Sequence, residues 1–211
     1  MIRVGLAAPR RAVGLTGLVL GAALIRALLL PLGDLLSTLV FGGCLLAIAW
    51  VERTAPTLPS PASGGGELSV LSRVSGGEEG PGPVGMTGSL VAGLMVGAVF
   101  VAPLTLGSLS ARGLNGFWTW AALAAIIATL EEIAIRGTLY RRWADEAGPV
   151  AAIVAGAVVF ALIHLPRYGW GAMPLDGAVG LALGGLRALT GRVAPCAVAH
   201  TIADWGAWFW A

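Results

Sequence analysis

Seven long apolar runs constrain the fold of this 211-residue chain more than any other feature of its sequence. Most approach the roughly 20 residues that an α-helix needs to cross the hydrocarbon core of a bilayer. We therefore predict an all-α, polytopic membrane protein of about seven transmembrane helices. The predicted spans are residues 13–32, 35–51, 88–109, 117–139, 149–166, 174–189 and 193–211.

Composition supports this class and excludes several others. The chain is 57% hydrophobic and 11% charged, with a mean hydropathy of +0.85, whereas a soluble domain has about 25% charged residues. Its net charge of +2 is too small to suggest a nucleic-acid partner. All 13 basic residues are arginines, which excludes a lysine general base or Schiff base. Cys44 and Cys196 lie in apolar runs and are predicted to be small core residues.

Residues 52–87 differ from the rest of the chain because they are rich in glycine, proline and serine and carry four glutamates. Such a segment cannot bury enough apolar surface to offset the entropy lost on ordering. We predict a flexible extramembrane loop. It separates N-terminal transmembrane helices in residues 1–51 from a span and connector in residues 88–116 and a helical core in residues 117–211.

The arginines predict the orientation of the chain, since cytoplasmic loops carry an excess of them. An N-terminus on the inside places eight arginines on the cytoplasmic side and two outside, so we expect the N-terminus inside and the C-terminus outside. The inner set is Arg3, Arg10, Arg11, Arg53, Arg73, Arg141, Arg142 and Arg192, and the outer set is Arg112 and Arg167. Arg26, Arg136 and Arg187 remain within predicted spans.

Three short strings place ionisable residues inside the apolar runs of the last part of the chain. They read EEIAIR at 131–136, FALIH at 160–164 and HTIAD at 200–204, and they contain both histidines. Each ionisable group in the middle of a bilayer costs at least about 2.5–3.5 kcal/mol on insertion scales. So many of them indicate a function, and catalysis is the one we expect.

The first string offers two adjacent carboxylates. Arg136 follows Glu132 by four residues and shares its helix face, so it can neutralise and orient Glu132. Glu131 points about 100° away around the helix, has no local partner and stays available. Two carboxylates that share one arginine suit general acid–base chemistry. The alternative is an ion pair that only fixes helix packing.

The other two strings supply imidazoles. His200 and Asp204 are four residues apart, so the carboxylate could fix the tautomer of the histidine or both could bind a metal. His164, taken alone, would be a hydrogen-bonded structural residue near the end of a span. However, antiparallel helices with turns near residues 147, 170 and 190 bring Glu131, His164, Asp176 and Asp204 to nearly one depth, at 1.5 Å per residue.

The sequence lacks the residues or motifs that several kinds of intramembrane protease require. Residues 117–211 contain no serine, which excludes a rhomboid-like Ser–His pair there. The chain has no His-Glu-x-x-His string of the zincin kind and no Gly-x-Gly-Asp string of the presenilin kind. The remaining chemistry is that of glutamate with histidines.

The three strings, in this order on successive helices, resemble the motifs of the CPBP family. This family, also called Abi, contains the CAAX prenyl endoproteases and bacteriocin-processing proteins. The resemblance covers about residues 117–211 and implies an intramembrane endopeptidase with a CPBP-type helical core. It implies that Glu131 is the general base that activates water, helped by His164, while Glu132 and Arg136 orient the site.

The resemblance also implies that His200 and Asp204 bind the scissile carbonyl or stabilise its oxyanion. CAAX proteases have asparagine where this chain has Asp204, and an ionised carboxylate cannot donate a hydrogen bond to an oxyanion. Asp204 must therefore be protonated, orient His200 or bind a metal. Glu131, His164, His200 and Asp204 together would make a plausible zinc set. A Zn²⁺ cofactor and a metal-free glutamate mechanism both stay open at this point.

The predicted substrate is a membrane-associated or lipidated protein or peptide, in a bacterial cytoplasmic membrane, and no nucleic acid is expected. Asp204 argues against assuming prenylated substrates. Two other functions compete with proteolysis. One is a non-catalytic membrane immunity or scaffold protein that uses the polar cluster for packing or partner binding. The other is a proton-coupled transporter. The sequence shows no inverted repeat of the kind found in many transporters, which argues against this function.

Overall fold

The computed structural model describes residues 10–54, 84–102 and 114–209, and the regular structure in these ranges is helical throughout. The helices are α1 (Arg10–Leu29), α2 (Asp34–Thr54), α3 (Met86–Val101), α4 (Phe117–Glu132), α5 (Tyr140–Ala147), α6 (Pro149–Tyr168), α7 (Met173–Thr190) and α8 (Ala194–Trp208). A π-helical segment, Ile133–Leu139, joins α4 to α5, and 3-10 turns occupy Leu30–Leu32 and Trp170–Ala172. Each predicted span has a helical counterpart, which confirms the all-α membrane fold. Most of the predicted 52–87 loop and residues 103–109 of the third predicted span lie outside the described ranges.

Within the described residues, four helical elements are long and apolar enough to cross a membrane. They are Arg10–Leu32, Asp34–Thr54, Phe117–Ala147 and Pro149–Tyr168. Helix α3 is apolar but has only 16 residues, α7 carries Asp176 and Arg187, and α8 has 15 residues. Helices α3 and α8 pack mainly against each other, and α7 packs mainly against α6.

Glycines end the helices at the turns that bring the last elements back across the bundle. Gly148, Gly169 and Gly191 follow α5, α6 and α7 with φ angles of 91°, 74° and 69°, which residues with a Cβ rarely adopt. Each donates its backbone N–H to the carbonyl four residues earlier. The turns predicted near residues 147, 170 and 190 are confirmed.

Small residues bring neighbouring helices into close contact. A Cβ on Gly180 of α7 would lie 2.7 Å from the Cα of Ala157 in α6, and one on Gly93 of α3 would lie 2.5 Å from the carbonyl oxygen of Pro195 in α8. Close backbone approach of this kind supplies the packing energy that hydrophobic burial cannot supply in lipid. It fixes α7 against α6, and α8 against α3.

The element Phe117–Ala147 changes to π-helical geometry directly after Glu132. Six of the seven residues of the π-helical segment are buried, and the segment packs against α1, α2, α6 and α7. The main hydrophobic core, which includes Ile135, Phe160 and Leu183, surrounds it. π-Helical turns in otherwise α-helical elements frequently occur at functional sites, and this one follows the two adjacent glutamates.

Candidate active site

Glu131, His164 and His200 meet inside the bundle, although they come from α4, α6 and α8. Glu131 Oε2 lies 3.9 Å from His164 Nε2 and 3.8 Å from His200 Nε2, and Glu131 is only 3% exposed. These separations exceed hydrogen-bond length, so a small group can lie between the carboxylate and the imidazoles. The structure thus brings Glu131 and His164, which the sequence placed at nearly one depth, together with His200, which lies one turn from Asp204.

Glu132 belongs to a second, fully buried network that holds His200. Glu132 Oε1 accepts hydrogen bonds from Arg136 Nη1 at 2.9 Å and from His200 Nδ1 at 3.0 Å. Arg136 also donates from Nη2 to the carbonyl of Gly180 at 3.2 Å, and its guanidinium lies 4.7 Å from the centre of the Phe160 ring. The pair expected from the spacing of Glu132 and Arg136 is present, and it extends to the last helix.

Phe160 and His164 face the site together, because they are one helical turn apart. His164 Nδ1 donates to the carbonyl of Phe160 at 2.8 Å. The Phe160 ring centre lies 4.4 Å from that of His164 and 5.1 Å from that of His200. Tyr168 stacks on the other side of His164, with ring centres 5.8 Å apart. These aromatic contacts restrict the orientation of both imidazoles.

Both histidines direct their Nε2 atoms at Glu131. The carbonyl of Phe160 and an ionised Glu132 can only accept hydrogen bonds, so the Nδ1 atoms of His164 and His200 carry protons. In each neutral imidazole the Nε2 lone pair is then free to accept a proton or bind a metal. Histidines that bind metals usually make this second hydrogen bond through the other ring nitrogen.

Glu131, His164 and His200 form a group that could hold a metal ion, because one ligand atom of each lies within 4.8 Å of the others. Two imidazole nitrogens and a glutamate oxygen are a donor set of catalytic zinc sites, which leave a fourth position for water or substrate. The donor types and the Nδ1 hydrogen bonds of both histidines therefore fit a zinc ion.

Asp204 lies on the Nε2 side of His200, with its Oδ1 3.7 Å from that nitrogen. It is not part of the group of three possible metal ligands, and its side chain is one-third exposed. The carboxylate that binds Nδ1, and so sets the tautomer of His200, is Glu132. Asp204 faces the Nε2 atom of the same imidazole instead.

Arg26 of α1 is a partner of Glu131 that the sequence reasoning missed. Its Nη1 lies 3.8 Å from Glu131 Oε1, and its guanidinium lies 4.9 Å from the centre of the Phe41 ring. The expectation that Glu131 lacks a partner holds only within its own helix. The one signal in the sequence was a charged residue inside the first predicted span, where charge is costly.

A cavity of about 200 Å³ adjoins the glutamate–histidine group. Its walls combine the polar residues of the site with apolar side chains: Arg26, Glu131, His164, His200 and Asp204 with Leu35, Trp120, Leu123, Ile127 and Ile163. The cavity is also lined by Asp34 and Arg167, which form an ion pair in which Arg167 Nη2 lies 3.1 Å from Asp34 Oδ2. The Asp34 side chain is 60% exposed, so the cavity reaches the end of the bundle where α1 turns into α2 and α6 ends.

Comparison with known proteins shows a similarity to one protease family. Residues 113–206 match the family model described as type II CAAX prenyl endopeptidase Rce1-like. The match includes both histidines and the paired glutamates of the site and excludes α1, α2 and α3. No curated protein and no solved structure gives a significant match. Over residues 113–206 the chain is therefore similar to the Rce1-like type II CAAX prenyl endopeptidases, and its long apolar helices make it an integral membrane protein.

Proposed function

We propose that the protein is an intramembrane endopeptidase that hydrolyses a peptide bond of a membrane-associated or lipidated polypeptide through water activated by Glu131. The observation that carries this proposal is the position of Glu131 Oε2, under 4 Å from two histidine nitrogens and at the wall of a cavity. Its place within the region matched by the protease family supports the same reading.

Glu131 acts as the general base in this proposal. A water that bridges Glu131 Oε2 and an imidazole would have two polar partners at suitable spacing. As the water oxygen attacks the scissile carbonyl carbon, its proton moves to Glu131. The carbonyl π bond opens to an oxyanion. The oxyanion then collapses, the C–N bond breaks, and Glu131 returns the proton to the leaving nitrogen.

His200 stabilises the oxyanion in the metal-free form of the mechanism. Its Nδ1–H is held by Glu132, so a second proton on Nε2 would point toward the space beside Glu131. Asp204, 3.7 Å from Nε2, would favour that imidazolium. An ionised Asp204 then needs no hydrogen-bond contact with the oxyanion, which accounts for aspartate where CAAX proteases have asparagine.

The same residues suit a metal-assisted version. Glu131, His164 and His200 would hold a zinc ion, since both Nε2 lone pairs face the carboxylate while the Nδ1 atoms are occupied. Bound zinc supplies a Lewis acid for the carbonyl and lowers the pKa of water. In both versions Glu132 and Arg136 keep His200 in one orientation.

Substrate reaches this site from one side of the membrane in our proposal. Arg10, Arg53 and Arg192 lie at one end of the helices, and Arg141 and Arg142 lie in α5 near that end. The cavity reaches the opposite end, beside Asp34 and Arg167. With the arginine-rich end inside, the N-terminus is cytoplasmic and the cavity opens toward the outer face. The apolar side chains of the cavity wall suit a hydrophobic or lipidated polypeptide.

An internally quenched peptide that ends in a farnesylated CAAX sequence tests the activity, with purified protein in detergent micelles. A library of apolar membrane peptides analysed by mass spectrometry extends the substrate range. We expect Glu131→Gln to lower the cleavage rate at least 100-fold, roughly the loss seen for general bases. Glu52→Gln is the matched control, because Glu52 pairs with Arg142 far from the site.

Cleavage by Glu131→Gln at the rate of the parent protein would rule out this proposal. If the variant kept its effect in cells while no peptide was cleaved, an immunity or scaffold protein would be the better account. Proton flux through the protein in liposomes, lost in Glu131→Gln, would favour the transporter.

A further inference from the structure

Each of the two adjacent glutamates has its own arginine, and the two arginines come from different parts of the chain. Arg136, four residues after Glu132, binds it at 2.9 Å. Arg26 approaches Glu131 from α1, with Nη1 3.8 Å from Oε1. The two oxygens of Glu131 are thus divided, since Oε2 faces the histidines and Oε1 faces the arginine.

The guanidinium of Arg26 has N–H groups that are not used in hydrogen bonds to the described residues. Among the described residues it makes no hydrogen bond, and its Nε atom is buried without a partner. Its guanidinium lies over the ring of Phe41, a contact that fixes the plane of the group. Partly buried guanidinium groups normally find hydrogen-bond partners, and Glu131 Oε1 lies 3.8 Å from Arg26 Nη1.

Arg26 also lies outside the part of the chain that matches the protease family, which begins at residue 113. Burial of a guanidinium in a membrane helix is costly, and α1 packs against α2 and α6 around it. We propose that Arg26 is a positioning residue that binds Oε1 of Glu131, so that Oε2 stays directed at His164 and His200. This inference rests on the proposed function of Glu131 as the base.

The consequence for catalysis is geometric and electrostatic. A glutamate side chain held at one oxygen presents the other in a fixed direction, and misplacement by about 1 Å can cost roughly 100-fold in rate. The positive charge of Arg26 also attracts the carboxylate of Glu131, which lies next to a second buried carboxylate. In this arrangement the N-terminal helix adds an arginine to a glutamate–histidine group whose members all lie in the matched region.

The test compares Arg26→Ala, Arg26→Lys and Arg26→Gln with the parent protein in the farnesylated-peptide assay. We expect Arg26→Ala to lower kcat at least roughly tenfold with little change in KM, because substrate binding does not involve Arg26 in this proposal. Lysine should restore part of the loss and glutamine should not. Guanidinium chloride at millimolar concentration should raise the rate of Arg26→Ala. Arg142→Ala, which removes a distant ion pair with Glu52, is the matched control.

A kcat for both Arg26→Ala and Arg26→Gln within about twofold of the parent would overturn the inference, provided that Glu131→Gln is inactive in the same assay. Should the alanine variant fail to fold, Arg26→Lys and Arg26→Gln still decide the question, because equal kcat values for both would remove the role of the charge. Activity in Glu131→Gln would instead overturn the proposed function, so the two failures are distinguishable.

Discussion

Glu132 Oε1 and His200 Nδ1 lie 3.0 Å apart in a buried hydrogen bond between residues 68 positions apart in the chain. This bond connects the first and third polar strings and sets which nitrogen of His200 faces the site. Glu132 shares the same oxygen with Arg136 at 2.9 Å. In the mechanism that we propose, the second glutamate orients the reacting groups, while the first acts on the substrate.

The variant Glu132→Gln tests whether Glu132 orients His200 without taking part in the reaction itself. Glutamine keeps the size of the side chain but removes the charge, so His200 is held less firmly and Arg136 loses its counter-ion. We expect activity to fall about 10- to 100-fold, as for other residues that orient functional histidines. Breaking a buried ion pair should also cost roughly 3–5 kcal/mol of stability, measurable by chemical unfolding in detergent.

The control for this variant is Glu52→Gln. The ion pair between Glu52 and Arg142 is about one-quarter exposed, so its loss should change stability by less than about 1 kcal/mol. Equal stability and activity of Glu132→Gln and the parent protein would contradict the orienting role of Glu132.

Zinc binding is the second prediction. Because ligand atoms of Glu131, His164 and His200 lie within 4.8 Å of one another, we expect the purified protein to bind one zinc ion per chain in a calorimetric titration. His164→Ala should weaken that binding at least tenfold, since one of three ligands is lost. Elemental analysis before and after chelation then shows whether activity depends on the ion.

Zinc bound equally well by the parent protein and by His164→Ala would contradict this assignment of ligands. Activity that survives complete removal of the metal would assign water activation to Glu131 alone. Activity lost together with one zinc ion would make Glu131 a ligand instead.

Gly180 provides a prediction about packing. A Cβ there would meet the backbone of Ala157 at 2.7 Å, and the carbonyl of Gly180 also accepts a hydrogen bond from Arg136. We expect Gly180→Ala to destabilise the protein by about 1–3 kcal/mol, the usual range for overpacking, and to reduce activity. Gly185→Ala is the matched control on the same helix, since a Cβ there meets nothing within 4 Å. Thermal unfolding in detergent distinguishes them, and equal Tm values would contradict the predicted clash.

The orientation can be measured at the two ends of α2. In a background without Cys44 and Cys196, single cysteines at Leu32 and Thr54 sit in exposed positions near the two ends. A membrane-impermeant thiol reagent should label Leu32→Cys in intact cells and Thr54→Cys only after permeabilisation. The reverse pattern would place the cavity on the cytoplasmic side, while the geometry of the site would be unchanged.

The sequence was informative where partners are local. Glu132 and Arg136 are one turn apart, and the turns at Gly148, Gly169 and Gly191 follow from the conformational freedom of glycine, so these features were predictable. Antiparallel folding through those turns placed Glu131 and His164 at nearly one depth, with His200 one turn from Asp204 at the same depth.

Contacts between distant parts of the chain were not predictable in the same way. Arg26 and Glu131 are 105 positions apart and belong to helices that are not consecutive, so neither spacing nor simple hairpin folding joins them. The hydrogen bond from His200 to Glu132 was also missed, because Asp204 is closer in sequence and lies on the same helix face. Which residues meet depends on how each helix is rotated about its axis and on the angles at which the helices cross. A periodic apolar pattern determines neither of these.

The π-helical segment Ile133–Leu139 makes the winding of this stretch as important as its residues. If the same seven residues were wound as an ordinary α-helix, the preceding helix would turn by roughly one residue, about 100°, relative to α5. Glu131 and Glu132 would then face away from the histidines, although every side chain of the site would still be present. The hydrogen-bond pattern of this segment is therefore as necessary to the site as the glutamates themselves, and comparison of motifs alone would not reveal it.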